Sequence, residues 1–422
     1  MTTLSRARLV ALPSLMILAA GLLAAAPADA GRHPGPGPGH GSGHGPGHGP
    51  GQTGQTVRFQ TFNASLNRAT AGALVSDLST RTNAQARSVA EIIQRTRPDV
   101  LLVNEFDYEP GNRAVDLFRD NYLEVPQGGA RAIDYPYAFV APSNTGAPSG
   151  FDLDNNGTVG GGNDAYGFGD FEGQYGMVVL SKYPIDTRGI RTFQQFRWAD
   201  MPGALLPTDF YSPAEQRVLR LSSKSHWDVP VTIGRKTVHF LVSHPTPPTF
   251  DGPEDRNGKR NHDEIRFWAD YVAGGRDAAY IYDDRGQYGG LARDASFVIA
   301  GDQNADPLDG DSVAAAVDQL LDSPRIVDPR PTSAGGPEAA ARQGGANAAH
   351  RSDPRYDTAD FSDAPAPGNL RADYVLPSRR GLQVKGAGIF WPVPSDPLSR
   401  LTGEFPFPSS DHRTVWVDVK VK

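Results

Sequence analysis

Phe297-Val298-Ile299-Ala300-Gly301-Asp302-Gln303-Asn304-Ala305-Asp306-Pro307 is the stretch around which the rest of the chain is read. An apolar run of strand length ends on Gly301, then a carboxylate follows at once and a carboxamide two residues later. Unbroken apolar character predicts a strand covered on both faces, so the polar pair emerges at the C-terminal edge of a sheet. With strand geometry continuing, Asp302 and Asn304 point the same way. A carboxylate able to hold a metal or a water, beside an amide able to donate to a phosphate oxygen, is a catalytic pair. Polar residues at strand ends also simply start turns, and this stretch alone does not choose between the two.

Outward from it, the same arrangement recurs. Val57 to Asn63 alternates as a strand and ends on an amide, and Val100 to Val103 runs into Asn104-Glu105. Thr237 to Ser243 ends on His244, and a strand from Asp373 to Pro377 begins on a carboxylate. The last strand, Thr414 to Val421, carries valine at every second position and follows Asp411-His412. A core needs apolar strands but does not need each to end in Asn, Asp, Glu or His. Polar groups converging at strand edges are how α/β sites are built. Further strands are expected at Tyr137–Val140, Gly176–Ser181, Arg217–Ser222 and Asp228–Ile233, the last turning through Gly234-Arg235 into its neighbour. Helices are expected from an Asn83 cap to about Arg95, at Asn112–Arg119, from an Asn261 cap through Tyr271, and at Ser312–Leu321.

Composition bounds the answer. The 422 residues suffice for one large or two ordinary domains. A net charge of −7 supplies no global pull toward nucleic acid or anionic membrane. The absence of cysteine excludes disulfides, thiolate metal sites and Cys nucleophiles. Residues 1–30 read as a signal peptide: Arg6 and Arg8, an apolar stretch from Leu9 to Ala26, then Ala28-Asp29-Ala30 as an A-x-A cleavage signal. The mature protein is therefore expected to be secreted, without a stable membrane anchor, and to act as a monomer. Residues 31–55, rich in Gly, Pro and His, read as a disordered spacer. Residues 56–422 form the folded domain, with irregular insertions at about 141–175, 190–216 and 322–370. The first holds Asp152-Leu153-Asp154-Asn155-Asn156-Gly157, the opening of a calcium loop, although Asn163 stands where such a loop wants a bidentate Glu. The competing reading is a plain Asx-rich glycine loop.

Carboxylate and amide oxygens are hard ligands suited to Mg²⁺, Mn²⁺ or Ca²⁺. With two histidines and a carboxylate beside them, they suit metal-assisted phosphoryl transfer to water. These residues carry a resemblance. The ordered pieces "TFN" at Asn63, "RPDVLLVNE" at Glu105, "YGMVVLSKYPI", "HFLVSHP" at His244, "FVIAGDQNADP", "RADYVLP" at Asp373 and "SSDHRTVWVDV" at His412 resemble the endonuclease/exonuclease/phosphatase superfamily over almost all of residues 56–422. The resemblance implies a four-layer α/β sandwich, two mainly antiparallel sheets face to face between helices. It implies that Glu105 is the principal metal ligand, with Asn63 helping to hold metal or phosphate, and that Asp302 positions or deprotonates the attacking water. It gives Asn304 the amide role, His244 and His412 the phosphate, Asp373 the orientation of His412, and Asp411 a second metal or an anchoring role. The phosphate-binding arginine is assigned to Arg220 over Arg217, and no carboxylate partner for His244 can be placed. Departures include Gln303, where many members have an aromatic residue. The substrate is a phosphate ester, either a small molecule or nucleic acid. A nuclease would want a basic groove, and a sphingomyelinase-like enzyme an exposed apolar hairpin, for which Phe390-Trp391 and Trp198 are candidates. A non-catalytic binding domain on the same fold is the alternative of a different class.

Overall fold

The computed structural model describes residues 55–422; the expected signal peptide and nearly all of the expected spacer lie outside them. Thirteen strands occur among the described residues: β1 (Thr56–Leu66), β2 (Val100–Phe106), β3 (Tyr137–Phe139), β4 (Met177–Ser181), β5 (Arg191–Thr192), β6 (His226–Ile233), β7 (Lys236–Ser243), β8 (Ser296–Asp302), β9 (Ala359–Asp360), β10 (Asn369–Leu370), β11 (Asp373–Pro377), β12 (Leu382–Ile389) and β13 (Val415–Val421). One sheet runs β12-β13-β1-β2-β4-β3 and the other β11-β8-β7-β6-β5, with β9 and β10 as a separate ribbon. Pairing is antiparallel except for β1 with β2 and β7 with β8.

Side-chain parity builds the layers. In β8, Val298 and Ala300 face the core between the sheets, whereas Phe297 and Ile299 face an outer core under the helix Arg256–Ala273. In β2, Val100 and Leu102 point inward, and Leu101 and Val103 pack under the helix Ala84–Thr96. Both strands are therefore buried on both faces, which is why they read as continuous apolar runs. The valines of β13 all enter the inter-sheet core, and its alternate residues face out. The result is helix, sheet, sheet, helix: the four-layer sandwich.

Local expectations divide. Asn83 caps its helix by accepting from Ala86 N, and Gly234-Arg235 makes the two-residue turn between β6 and β7. Arg217–Ser222 is not a strand; apart from one bridge between Arg220 and Arg197 it runs irregularly over the outer core, where Leu219 and Leu221 are buried. Asn261 is not a cap but lies inside the helix Arg256–Ala273, buried. Only Asp318–Leu321 of the expected 312–321 helix forms. The 190–216 insertion buries Phe193, Phe196 and Trp198 against the helix Arg256–Ala273, completing the outer core.

Candidate active site

The polar strand ends meet where the two sheets abut. One sheet brings Asn63 on β1, Glu105 on β2, and Asp411 and His412 ahead of β13; the other brings Asp302 on β8, Asp373 on β11 and His244 after β7. Neither sheet alone contains the constellation. Asp302 and Asp373 are direct partners in the β8–β11 register. Gly301 is required before Asp302: its φ is +147°, and a Cβ there would lie 2.0 Å from the Ser243 carbonyl oxygen. Past Asn63 and Asn104 the β1–β2 register slips, and Glu105 adopts φ 57°. This local irregularity lets Glu105 reach Asn63, a residue paired with its neighbour. Such left-handed non-glycine residues typically cost about 1–3 kcal/mol and gather at functional sites.

Asp302 is the centre. It has no exposed surface, and its Oδ2 accepts from Asn63 Nδ2 at 3.1 Å. The same oxygen lies 3.4 Å from His244 Nε2 and 3.5 Å from His412 Nε2. Burial works to raise the Asp302 carboxyl, but the charge of His412 and the hydrogen bonds from His244 and Asn63 outweigh it and hold it below the usual carboxylate range. His412 Nδ1 donates to Asp373 Oδ2 at 2.8 Å, and Thr358 Oγ1 donates to the same oxygen at 2.9 Å. Burial would lower the His412 imidazole, yet Asp373 and Asp302 lift it well above its ordinary value. Burial pushes Asp373 up to about 6 against the pull of His412, so at neutral pH the pair is imidazolium and carboxylate. His244 goes the other way. Burial and the nearby Lys224 ammonium lower its imidazole, which leaves it neutral, and its Nδ1 has no partner among the described residues.

Glu105 is half-buried, its Oε1 accepting from Asn63 Nδ2 at 3.0 Å and its Oε2 from Asn67 Nδ2 at 2.8 Å. Asp411 stands at the same edge, 3.3 Å from Ser65 Oγ. These are hard oxygen donors that keep some exposure, and they fit Mg²⁺ or Mn²⁺. Asp302, Asp373 and His412 also hold three ligand atoms within 4.8 Å of one another. The bond between His412 and Asp373 already engages that trio, which makes it a hydrogen-bonded relay. In the 141–175 insertion, ligand atoms of Asp152, Asp154 and Asp164 likewise lie within 4.8 Å of one another, Asp164 standing one residue beyond Asn163.

Two expectations change. Strand geometry ends at Asp302, and Asn304 sits at φ 50°, its backbone N–H on Asp302 Oδ1 and its Nδ2 on the Pro245 carbonyl at 3.1 Å. Asn304 therefore reaches the site by a turn and not by strand parity. Arg220 is spent elsewhere, bonded to Asn144 Oδ1 at 2.6 Å and stacked 4.0 Å over the Tyr166 ring. The nearby cation on that segment is Lys224, only 6% exposed, whose charge lowers the His244 imidazole and whose own amine is held up by Glu264, Glu105 and Asp302 against burial. Sequence reading missed it; the available signal was a lone lysine in Ser222-Ser223-Lys224-Ser225, just before an apolar strand. It also missed Thr358. That residue lies in the 322–370 excursion, which pairs Ala359 with His412 and so holds the catalytic edge in place.

The endonuclease/exonuclease/phosphatase family profile matches residues 61–412, and the chain belongs to that family. Its members are usually hydrolases of phosphate esters and generally depend on a divalent metal. Similar solved structures include an endonuclease/exonuclease/phosphatase from Beutenbergia cavernae, 16% identical over 87% of this chain and 72% of that one, with a TM-score of 0.48. The human Nocturnin catalytic domain with bound sulfate anion is 13% identical over 87% and 94%, at 0.44. TDP2 from Caenorhabditis elegans is 14% identical over 87% and 75%, at 0.42. No curated protein matches the sequence.

Proposed function

We propose that this protein is a secreted, divalent-metal-dependent phosphoesterase that hydrolyses phosphate mono- or diesters by in-line attack of water, acting as a monomer. The observation that carries the reading is Asp302: a buried, ionised carboxylate shared by Asn63, His244 and His412, with His412 backed by Asp373. Asp302 orients the attacking water and accepts its proton as the new P–O bond forms and the ester P–O bond breaks, the departing alkoxide taking a proton from solvent water and leaving as the alcohol. Negative charge growing on the phosphate oxygens meets the His412 imidazolium and the Lys224 ammonium, both fixed in advance and shielded from solvent. Neutral His244 donates from Nε2. Asn304 holds the turn after Asp302 and offers its remaining amide N–H. Glu105, with Asn63 and Asp411, would hold Mg²⁺ or Mn²⁺, which when bound polarises a phosphate oxygen as a Lewis acid.

Secretion is supported by the charged, apolar and A-x-A segments of residues 1–30. Of the substrate classes, a phospholipid is the least supported. Trp198 and Trp391 are buried, Trp198 bonded to Asp263 and Trp391 lying under Arg413, so neither forms an apolar tip. The loop of Asp152, Asp154, Asn156 and Asp164 is proposed as a separate structural Ca²⁺ site. The test is hydrolysis of bis-p-nitrophenyl phosphate, p-nitrophenyl phosphate, plasmid DNA, RNA and sphingomyelin with Mg²⁺, Mn²⁺, Ca²⁺ or EDTA. Metal-dependent turnover of at least one is expected, and none anywhere would overturn the enzyme reading.

A further inference from the structure

Among the described residues His244 has no carboxylate behind its ring, and Lys224 sits on an irregular segment, so something else must hold both in place. The helix Arg256–Ala273 presents Glu264 and Asn261 toward them, three residues apart on one face and both fully buried. Glu264 Oε1 accepts from Ser223 N at 2.7 Å and Ser223 Oγ at 3.2 Å; its Oε2 accepts from Thr246 N at 2.6 Å. Ser223 immediately precedes Lys224, and Thr246 follows His244 by two residues. One carboxylate thus ties together the segments that deliver the ammonium and one imidazole. Asn261 Nδ2 donates to the Thr246 and Gln303 carbonyls, both at 2.8 Å, and Gln303 directly follows Asp302. The Glu264 carbonyl, in turn, takes His226 Nε2 at 2.9 Å, fixing the start of β6. Burial lowers the Lys224 amine, and Glu264 is the foremost charge opposing that effect.

We propose that Glu264, assisted by Asn261, is a positioning residue of the active site. It sets Lys224 and His244 through their main chain, in place of the carboxylate that His244 lacks. The inference rests on the phosphoesterase reading. A merely structural carboxylate would stabilise the fold without favouring these two segments.

Glu264→Gln separates the two. A glutamine keeps the shape but can accept on one side only, turning its amide N–H₂ against either Ser223 N or Thr246 N. Its kcat for bis-p-nitrophenyl phosphate is expected to fall at least about 30-fold with KM within threefold, while Glu264→Asp recovers part of the loss. Val272→Ala, in the same helix and core, serves as the stability control and is expected to match the Tm loss while keeping kcat within threefold. Should Glu264→Gln fail to fold, Asn261→Asp, which strips the donor from Thr246 and Gln303, is expected to show the same kcat-selective loss. Equal kcat loss in Val272→Ala, or wild-type-like kcat in the positioning variants, would overturn the inference and leave the phosphoesterase reading intact. A wild-type protein that hydrolyses none of the esters would overturn both.

Discussion

Asp373→Asn isolates the charge of one carboxylate with little change of shape. Asp373 Oδ2 accepts from His412 Nδ1 and from Thr358 Oγ1, and that hydroxyl in turn accepts from Ala372 N and Asp373 N, both at 2.9 Å. An asparagine with its oxygen at that position keeps both bonds and turns its amide toward the Oδ1 site, which has no partner among the described residues. What disappears is one negative charge at hydrogen-bond distance from the imidazolium. At about 4 Å and an effective dielectric near 20, that charge is worth roughly 4 kcal/mol to the protonated ring. Asp302, 3.5 Å away, and the weaker pull of Asp411 must then keep His412 charged. Losing one preorganised hydrogen-bond donor aimed at developing negative charge costs about 10²–10³ in kcat. The assay is kcat for the best phosphate ester between pH 5.5 and 9 at saturating metal. A loss of about 10²–10³ at pH 7.5 is expected, partly recovered as pH falls, because a His412 with a lowered pKa regains its proton only at lower pH. A kcat within threefold of wild type at neutral pH, or an unchanged pH profile, would refute the imidazolium role.

Asp302→Ala and His412→Ala are each expected to lower kcat by at least about 10²; near-native activity in either would show its role to be misassigned. Lys224→Met is expected to weaken binding of inorganic phosphate measured by calorimetry, whereas Arg220→Met leaves it nearly unchanged, and the reverse order would restore the arginine assignment. His226, pushed down to about 4 by burial, gives a pH-dependent stability. An unfolded histidine titrates near 6.5, so the unfolded chain binds the extra proton first. Stability is therefore complete above pH 6.5 and falls by about 3 kcal/mol as pH drops toward 4. Urea unfolding at pH 7.5 and 5 would show this, and an identical pH dependence in His226→Gln would count against it. Chelation is expected to lower the Tm of wild type more than that of Asp154→Ala; equal shifts would place the calcium elsewhere.

What the sequence determined by itself was the strands and the kind of chemistry at their ends. Runs such as Phe297–Ala300 and Leu101–Val103 are apolar at every position, and at four or so residues, bounded by Gly301 or by Pro98-Asp99, such a run suits a strand covered on both faces. Gly301 before Asp302 and the alternating valines of β13 are equally local, because sterics and two-residue periodicity act over a few bonds. The tertiary structure decided which cation lies beside His244 and what holds that neighbourhood together. Arg220 and Lys224 are four residues apart on an irregular segment, where no periodicity says which side chain points inward. Long-range contacts settle it: Asn144 and Tyr166 capture Arg220, and Glu264 ties down Ser223 beside Lys224. Asn261 read as a helix cap because an amide before an apolar face resembles one, yet its partners lie 15 and 42 residues away. Thr358 was invisible for the same reason. A hydroxyl in a Pro/Gly-rich excursion gains its meaning only from Asp373, and that pairing is made by the fold.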